Sequence, residues 1–408
     1  MAGRQGSFPV CGPTRYVMTV APYGLTFDLD RVRRDRHEFW GELIVKCDLK
    51  GAKTLDGILS ASDFNLSGQA ARVTRAKYLA ERAQVTEIDW IGLVEEFCQR
   101  VIAFDREGDP VIALDDAPDR PARDLDIHGL KIPSDAASLL VAHGDSLKSM
   151  LTLYALGTMA QRGHAVLYVD WEWTADRHRA RKVRLFGPER IDGLYYLRCR
   201  APLTLECDRI RRFCDAQRVE FVAIDSIGLA SDGKLVDDDV AIRFHRALST
   251  LPPALCAAHV PKSAINGDAK TDAPPFGSVY FSNLCRASWS VKKQPGATDD
   301  LVTVGLFPSK QNDGARQRPI GLEFTFTDAR ISVRAVNLAG VDGLAERLSL
   351  SARMQHLLAN GPLSYAELAT RLEAKVNSVI QVATRVDVFT KVTSRDGISR
   401  LALVERGG

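Results

Sequence analysis

The chain is 408 residues long, 45% hydrophobic and 26% charged, an ordinary globular composition with room for roughly two to four domains. Fifty-four Lys/Arg against 51 Asp/Glu leave +3, which excludes a surface that is basic throughout but not a local basic face. No run of 18 apolar residues occurs, Met1–Arg15 lacks the apolar core of a signal peptide, and the eight cysteines are scattered without a CxxC pair; the expectation is a cytoplasmic protein with no membrane contact, structural zinc or disulfide framework.

Residues 1–15 mix Gly, Pro, Arg and Ser without periodicity and read as a flexible arm. Two alternating runs between Leu25 and Asp48 flank the charged stretch Arg31–His37, the pattern of a hairpin or two neighbouring strands. Helices are predicted over Ser67–Arg82 and Asp89–Phe104, the second with Trp90, Leu93, Val94, Phe97 and Val101 along one stripe. Residues 16–115 therefore read as a small α+β domain. The Asp- and Pro-rich stretch that follows reads as a linker crossing a surface, placed at 116–131.

From Leu139 to Phe326 short apolar runs alternate with helical stretches: Leu139–Ala142, Ala165–Val169, Leu194–Leu197, Val219–Ile224, Ala254–Ala258 and Ala287–Val291. Most are apolar on both faces, as strands inside a parallel sheet must be. With helices such as Lys148–Arg162 and Leu205–Arg218 between them, the fold class is α/β, a mainly parallel sheet with helices on both faces, over 132–340. Val302–Leu306, Leu322–Phe326 and Ile331–Val333 suggest an antiparallel extension, and short helices with a terminal hairpin around Asp396-Gly397 fill 344–408.

The first of these strands runs through Ala142-His143-Gly144-Asp145-Ser146-Leu147-Lys148-Ser149 straight into a helix. A phosphate-binding loop needs backbone N–H groups turned inward at a helix N-terminus, a Lys for the β- and γ-phosphates and a hydroxyl for Mg²⁺. Residues 144–149 supply the loop, Lys148 and Ser149 the last two needs. Ala142 and Leu147 stand where the usual pattern has glycine, leaving Gly144 as the source of flexibility. The following strands end in Glu172, placed to activate a water; Asp225, placed to hold Mg²⁺ through water; and His259, placed to hydrogen-bond a γ-phosphate. Each has a plainer reading: Glu172 pairing with Arg177 or Arg179, Asp225 capping the next helix, His259 as an edge of the core.

As a set these residues resemble the RecA-like ATPases, and within them the RepA-like and DnaB-type hexameric helicases. The likeness rests on Ser146–Met150, Val166–Glu172, Val222–Ser226, His259 with Lys262, Gly277-Ser278 and Arg286–Trp289, and covers roughly Leu130–Phe326. It implies ATP as substrate, Mg²⁺ as cofactor, Glu172 as catalytic base, Lys148 and Ser149 on the phosphates and metal, Asp225 on the metal side, and assembly into a homo-oligomeric ring, with six subunits as one form. It also implies a basic residue entering a neighbour's site. Lys310 in Ser309–Gly314 matches the lysine, Asn312 stands where the arginine would be, and Arg316 or Arg318 are its alternatives.

The loop Lys262–Phe276 corresponds to one facing the central channel, where Lys262 and Lys270 would track single-stranded DNA; a ligand-free surface loop is the other reading. Ser349–Asn360, Ser364–Leu372, Val376–Val386 and Phe389–Val404 resemble a winged helix-turn-helix, with Lys375 and Arg385 placed for phosphates or base edges. Such modules also bind proteins, as the N-terminal domain can. The implied activity is an ATP-hydrolysing helicase acting in replication or repair of a plasmid, phage or other mobile element. The competing function is a non-hydrolysing adaptor with a decayed phosphate loop.

Overall fold

The computed structural model describes residues 15–108, 111–118, 124–259, 277–312, 314, 317–393 and 399–404. The chain divides into two compact units, Met1–Arg120 and Pro121–Gly408.

In the first unit β1 (Tyr16–Val20), β2 (Leu25–Asp35), β3 (Glu38–Cys47) and β4 (Ile58–Asn65) form an antiparallel meander in sequential order. The β2–β3 hairpin is the one expected from alternation; β1 and β4 lie in stretches that gave no clear signal. Helices α1 (Gln69–Ala83) and α2 (Trp90–Glu107) follow. Asp89 starts α2 by accepting the Gly92 N–H at 2.9 Å, and the apolar stripe Trp90–Val101 is buried. Its Phe97 ring lies 5.4 Å from Phe27 of the sheet, so one side of the meander is closed by helix. The basic clusters at 31–36 and 72–77 are largely paired inside the unit: Arg33 with Asp63 at 2.5 Å, Arg34 with Asp105 at 2.5 Å, Arg72 with Glu95 at 2.9 Å.

The second unit opens with a correction. Residues 124–133, read mostly as linker, form an antiparallel hairpin, β5 (Asp124–Ile127) and β6 (Leu130–Pro133). Ile127, Leu130 and Ile132 are fully buried in the main core. Counting Asp hid the alternation in Asp124-Leu-Asp-Ile127, whose apolar members point inward while the acids stay in water.

The core sheet has nine strands. β7 (Ser138–Ala142), β8 (Val166–Asp170), β9 (Leu194–Arg198), β10 (Phe221–Asp225), β11 (Ala254–His259) and β12 (Ala287–Lys293) run parallel in the spatial order β12-β7-β11-β10-β8-β9. β13 (Leu301–Gln311), β14 (Ile320–Phe326) and β15 (Ile331–Val336) extend the β12 edge antiparallel. Between the parallel strands run α3 (Lys148–Gln161), α4 (Ala175–Phe186), α5 (Leu203–Gln217), the single turn α6 (Ile227–Ala230), α7 (Asp238–Leu248) and the short α8 (Tyr280–Asn283).

Alternation within each strand feeds two cores. Leu140, Val166 and Tyr168 face a cluster shared with α3, while Leu139, Leu167 and Val169 face another built with α5 and α7. This is why those strands read as continuous apolar runs. β9, grouped with them from sequence, is half-buried throughout because it is the sheet edge.

Three helices close the chain, α9 (Leu350–Leu358), α10 (Tyr365–Arg371) and α11 (Val376–Arg385), with a two-stranded β16 (Phe389–Thr393) and β17 (Ser399–Leu403). Ser364 and Glu367 form the capping box that their spacing suggests, and Leu363 bridges Leu401. Lys375 and Arg385 are exposed at the two ends of α11.

If the hairpin is core rather than linker, Ile132→Ala costs about 2–5 kcal/mol through transfer and cavity terms. In the full chain this should read as faster amide exchange across β7 and β13. A change below about 0.5 kcal/mol, the ordinary surface value, contradicts the assignment.

Candidate functional site

The parallel strands end at one edge of the sheet, and β7, β8, β10 and β11 end there in Ala142, Asp170, Asp225 and His259. The loop after β7 enters α3 through Leu147, which stands in the left-handed region at φ 56° with no side-chain cap on the helix. Asp145 shares that conformation at φ 62°, whereas Gly144 is not at positive φ. The left-handed turns are therefore made by Asp145 and Leu147 and not by Gly144, read from sequence as a source of flexibility, at a cost of roughly 1–2 kcal/mol for such a residue. The uncapped N-terminus of a 14-residue helix leaves backbone N–H groups and the positive end of its dipole free for an anion. Ser146 is buried, and Asp145, at the rim, is held by Lys293 at 3.1 Å.

Lys148 heads α3 and is only 5% exposed. Its ammonium sits 3.1 Å from both ring nitrogens of His259, so whichever nitrogen is unprotonated accepts from it. Burial lowers its pKa below the ordinary lysine value, against the pull of Asp225 and Glu172. His259 in turn lies 3.6 Å from Glu172, and the Ser226 hydroxyl donates to Glu172 Oε1 at 2.7 Å. Contact with His259 holds the Glu172 carboxyl below the usual glutamate range, with burial opposing and Ser226 assisting. At neutral pH it is a carboxylate, the form a base needs.

Asp225 is 2% exposed. The buried phenol of Tyr168 donates to its Oδ2 at 2.5 Å, and burial raises that phenol's pKa far above normal, so it stays a donor. Oδ1 is buried with no hydrogen-bond partner among the described residues. A buried carboxylate oxygen left unanswered costs several kcal/mol unless a cation or water meets it. Such an atom at the edge of a sheet, beside a helix that opens Lys148-Ser149, fits a hard divalent cation such as Mg²⁺, which takes few protein ligands and completes its shell with water and phosphate. The plainer reading of Asp225 as a helix cap is not what the geometry shows: the N-cap of α6 is Ser226, and no side chain caps that helix.

The residue that sequence reading passed over is Asp170. It is 1% exposed, and its carboxylate accepts the N–H groups of Glu172 at 2.8 Å and Trp173 at 3.0 Å. Its remaining capacity is met by Tyr196 at 2.9 Å and His178 at 3.2 Å, with Arg198 at 3.7 Å. Burial raises its pKa, yet these donors together pull it below the ordinary aspartate value. Asp170 thus fixes the backbone that carries Glu172. A polar residue closing an apolar strand two positions before Glu172 was the available signal. Arg177 and Arg179, offered from sequence as partners for Glu172, do not pair with it among the described residues; Arg177 instead lies over the Trp173 ring, as does Arg181 at 3.8 Å.

The remaining candidates lie elsewhere. Lys310 pairs across β13–β12 with Ser288, which is level with Leu139 near the start of β7, so within one chain it does not join the Lys148 cluster. Its ammonium donates to the Ser282 and Asn283 carbonyls at 3.1 and 2.6 Å, closing α8. Arg318 is exposed in the segment before β14. Lys262, Lys270 and Arg316 lie outside the described residues.

No protein-family model matches the chain, and no curated protein matches it in sequence. The structure is similar to the crystal structure of the flagellar accessory protein FlaH from Methanocaldococcus jannaschii, at 15% identity and a TM-score of 0.39, over 53% of this chain and 100% of that one. A likeness at that score carries no argument for this chain. No described helix is long and apolar enough to cross a membrane.

Close to Lys310, His245 of α7 is pushed down to about 4, by burial first and by the Lys310 charge, while the Phe281 backbone opposes. A histidine whose folded pKa lies below its unfolded value leaves the unfolded chain holding more protons as pH falls. Stability is therefore lost from about pH 6.5 down to about 4, by at most about 3 kcal/mol. His245→Phe should flatten that part of a stability–pH curve; an unchanged slope contradicts a buried neutral imidazole.

Proposed function

We propose that the chain is an Mg²⁺-dependent nucleoside triphosphatase with a RecA-like core, working as a homo-oligomeric ring on single-stranded DNA. The observation that carries this reading is the convergence of Lys148, Glu172, Asp225 and His259 at one sheet edge, with Asp225 Oδ1 buried and without a hydrogen-bond partner among the described residues. Those groups come from four stretches of chain up to 111 residues apart, and a sheet edge at the junction with helix N-termini is where anionic ligands bind in α/β folds.

In this reading the triphosphate occupies the uncapped start of α3, and the Lys148 ammonium leaves the His259 ring for the β- and γ-phosphate oxygens. Ser149 and Asp225 would hold Mg²⁺, which when bound neutralises charge on the transferring phosphoryl group. Glu172, ionised and held by Ser226 and by the Asp170 clamp on its backbone, orients the attacking water. His259, released from Lys148, is placed to report the γ-phosphate. Phosphoryl transfer asks a protein mainly for positioning and charge stabilisation, and these residues supply both. Lys310, with Arg316 or Arg318, would act across a subunit boundary, since it does not reach its own chain's site.

DNA contact is assigned to Lys262 and Lys270. The terminal helices are assigned to a winged helix-turn-helix in which Lys375 and Arg385 meet DNA, or a protein partner docks; the first unit offers a second protein-docking domain. The finer reading is a helicase in replication or repair of a plasmid, phage or other mobile element. One observation favours the competing adaptor: Ala142 and Leu147 replace the loop glycines, and Leu147 is strained where glycine would not be.

Phosphate release from ATP with Mg²⁺ and single-stranded DNA separates the two. Lys148→Ala and Glu172→Gln are each expected to lower the DNA-stimulated rate at least a hundredfold, with circular dichroism unchanged. Absence of release by the unaltered chain selects the adaptor, and full activity in Glu172→Gln removes that residue from the chemistry.

A further inference from the structure

A cleft of about 390 Å³ lies between α4, β9 and the intervening segment 187–193. Its floor is aromatic: Tyr168, His178 and Tyr196 line it, with the His178 ring 4.5 Å from Tyr168 and 5.3 Å from Tyr196. Leu153 and Ile191 add apolar wall, and three cations, Arg179, Lys182 and Arg190, line it with no carboxylate among them. Lys182 is spent on the Gly187 and Glu189 carbonyls, and Arg190 pairs with Asp192 at 2.7 Å. Arg179 is exposed and has no partner among the described residues.

His178 is the informative group. It is 5% exposed, and its Nε2 faces Asp170 Oδ2 at 3.2 Å. An ionised carboxylate can only accept, so in the neutral imidazole the ring proton sits on Nε2 and Nδ1 keeps a lone pair. That nitrogen is buried and has no hydrogen-bond partner among the described residues. Buried polar atoms are almost always paired, and this one belongs to a residue that lines an apolar, aromatic cleft. Concave apolar sites with one or two directed polar groups are the usual form of a small-molecule site.

We propose that this cleft binds a small planar aromatic anion bearing a hydroxyl, a hydroxybenzoate-like molecule. Its ring lies against Tyr168, His178 and Tyr196, its hydroxyl donates to His178 Nδ1, and its carboxylate meets Arg179 at the rim. The occupant is one hydrogen bond from Asp170, the carboxylate that clamps the Glu172 and Trp173 amides. Occupancy therefore tightens the segment that carries Glu172, and it does so without the triphosphate site; the binding inference stands whether or not the chain hydrolyses ATP.

The test is calorimetric titration of the full chain, without nucleotide, with 3-hydroxybenzoate, 4-hydroxybenzoate, benzoate and phenol. One hydroxybenzoate isomer is expected to saturate a single site at least tenfold more tightly than benzoate or phenol. Arg179→Ala, an exposed change that leaves the floor intact, should weaken it severalfold, and His178→Phe should remove the preference over benzoate. Two readouts need no variant. The ¹⁵N resonance of His178 Nδ1 moves on binding, and amide exchange at Glu172 and Trp173 slows. Absence of saturable binding by all four compounds at millimolar concentration overturns the proposal. So does binding that leaves the Nδ1 resonance unmoved, or a hydroxyl preference that survives His178→Phe.

Discussion

Two buried carboxylates stand side by side at the carboxyl edge of the sheet, Asp170 and Asp225, paired in register across β8 and β10. Burying one charge is costly, and burying two as neighbours is affordable only where donors meet them. The protein answers them differently. Asp170 is surrounded by two backbone N–H groups, a phenol, an imidazole and a guanidinium. Asp225 has one phenol, and its second oxygen has no partner among the described residues. The first arrangement is structural and rigid; the second leaves a place for a cation. Around this asymmetry the other groups fall into order, with Glu172 hung from the Asp170 clamp and Lys148 at the head of the neighbouring helix.

That Lys148 rests against His259 gives the proposed site two arrangements rather than one. Burial already disfavours its charge, and the imidazole is the hydrogen-bond partner that makes burial tolerable. An entering phosphate offers a stronger, charge-assisted partner and would draw the ammonium away. His259 would then be free to respond to what lies beyond it, including Glu172 at 3.6 Å. Ligand entry would thus be felt at the carboxylate through a single shared ring.

Much of the fold was legible from residue order, because most of the core strands are apolar on both faces and β8, β10 and β11 close in a polar residue. Lys148 at the head of the helix after β7, and Glu172, Asp225 and His259 at or just past strand ends, were candidates for that reason. Asp170 also closes a strand, but its role depends on His178 and Tyr196, eight and 26 residues away, which only the fold brings to it. The hairpin at 124–133 was hidden because an acid count outweighs three buried aliphatics. The basic clusters of the first unit, ambiguous in sequence, are mostly neutralised by nearby acids once folded. A net charge of +3 therefore says little by itself; what counts is which cations stay unpaired, and Arg179, which lines the cleft, is one of those among the described residues.

The most direct measurement is a structure of the full chain with a non-hydrolysable ATP analogue and Mg²⁺. The expected result is the triphosphate at the start of α3, Lys148 withdrawn from His259 onto its oxygens, and metal-bound water at Asp225 Oδ1. An analogue bound elsewhere, or Lys148 still on His259 at saturating ligand, would contradict the account.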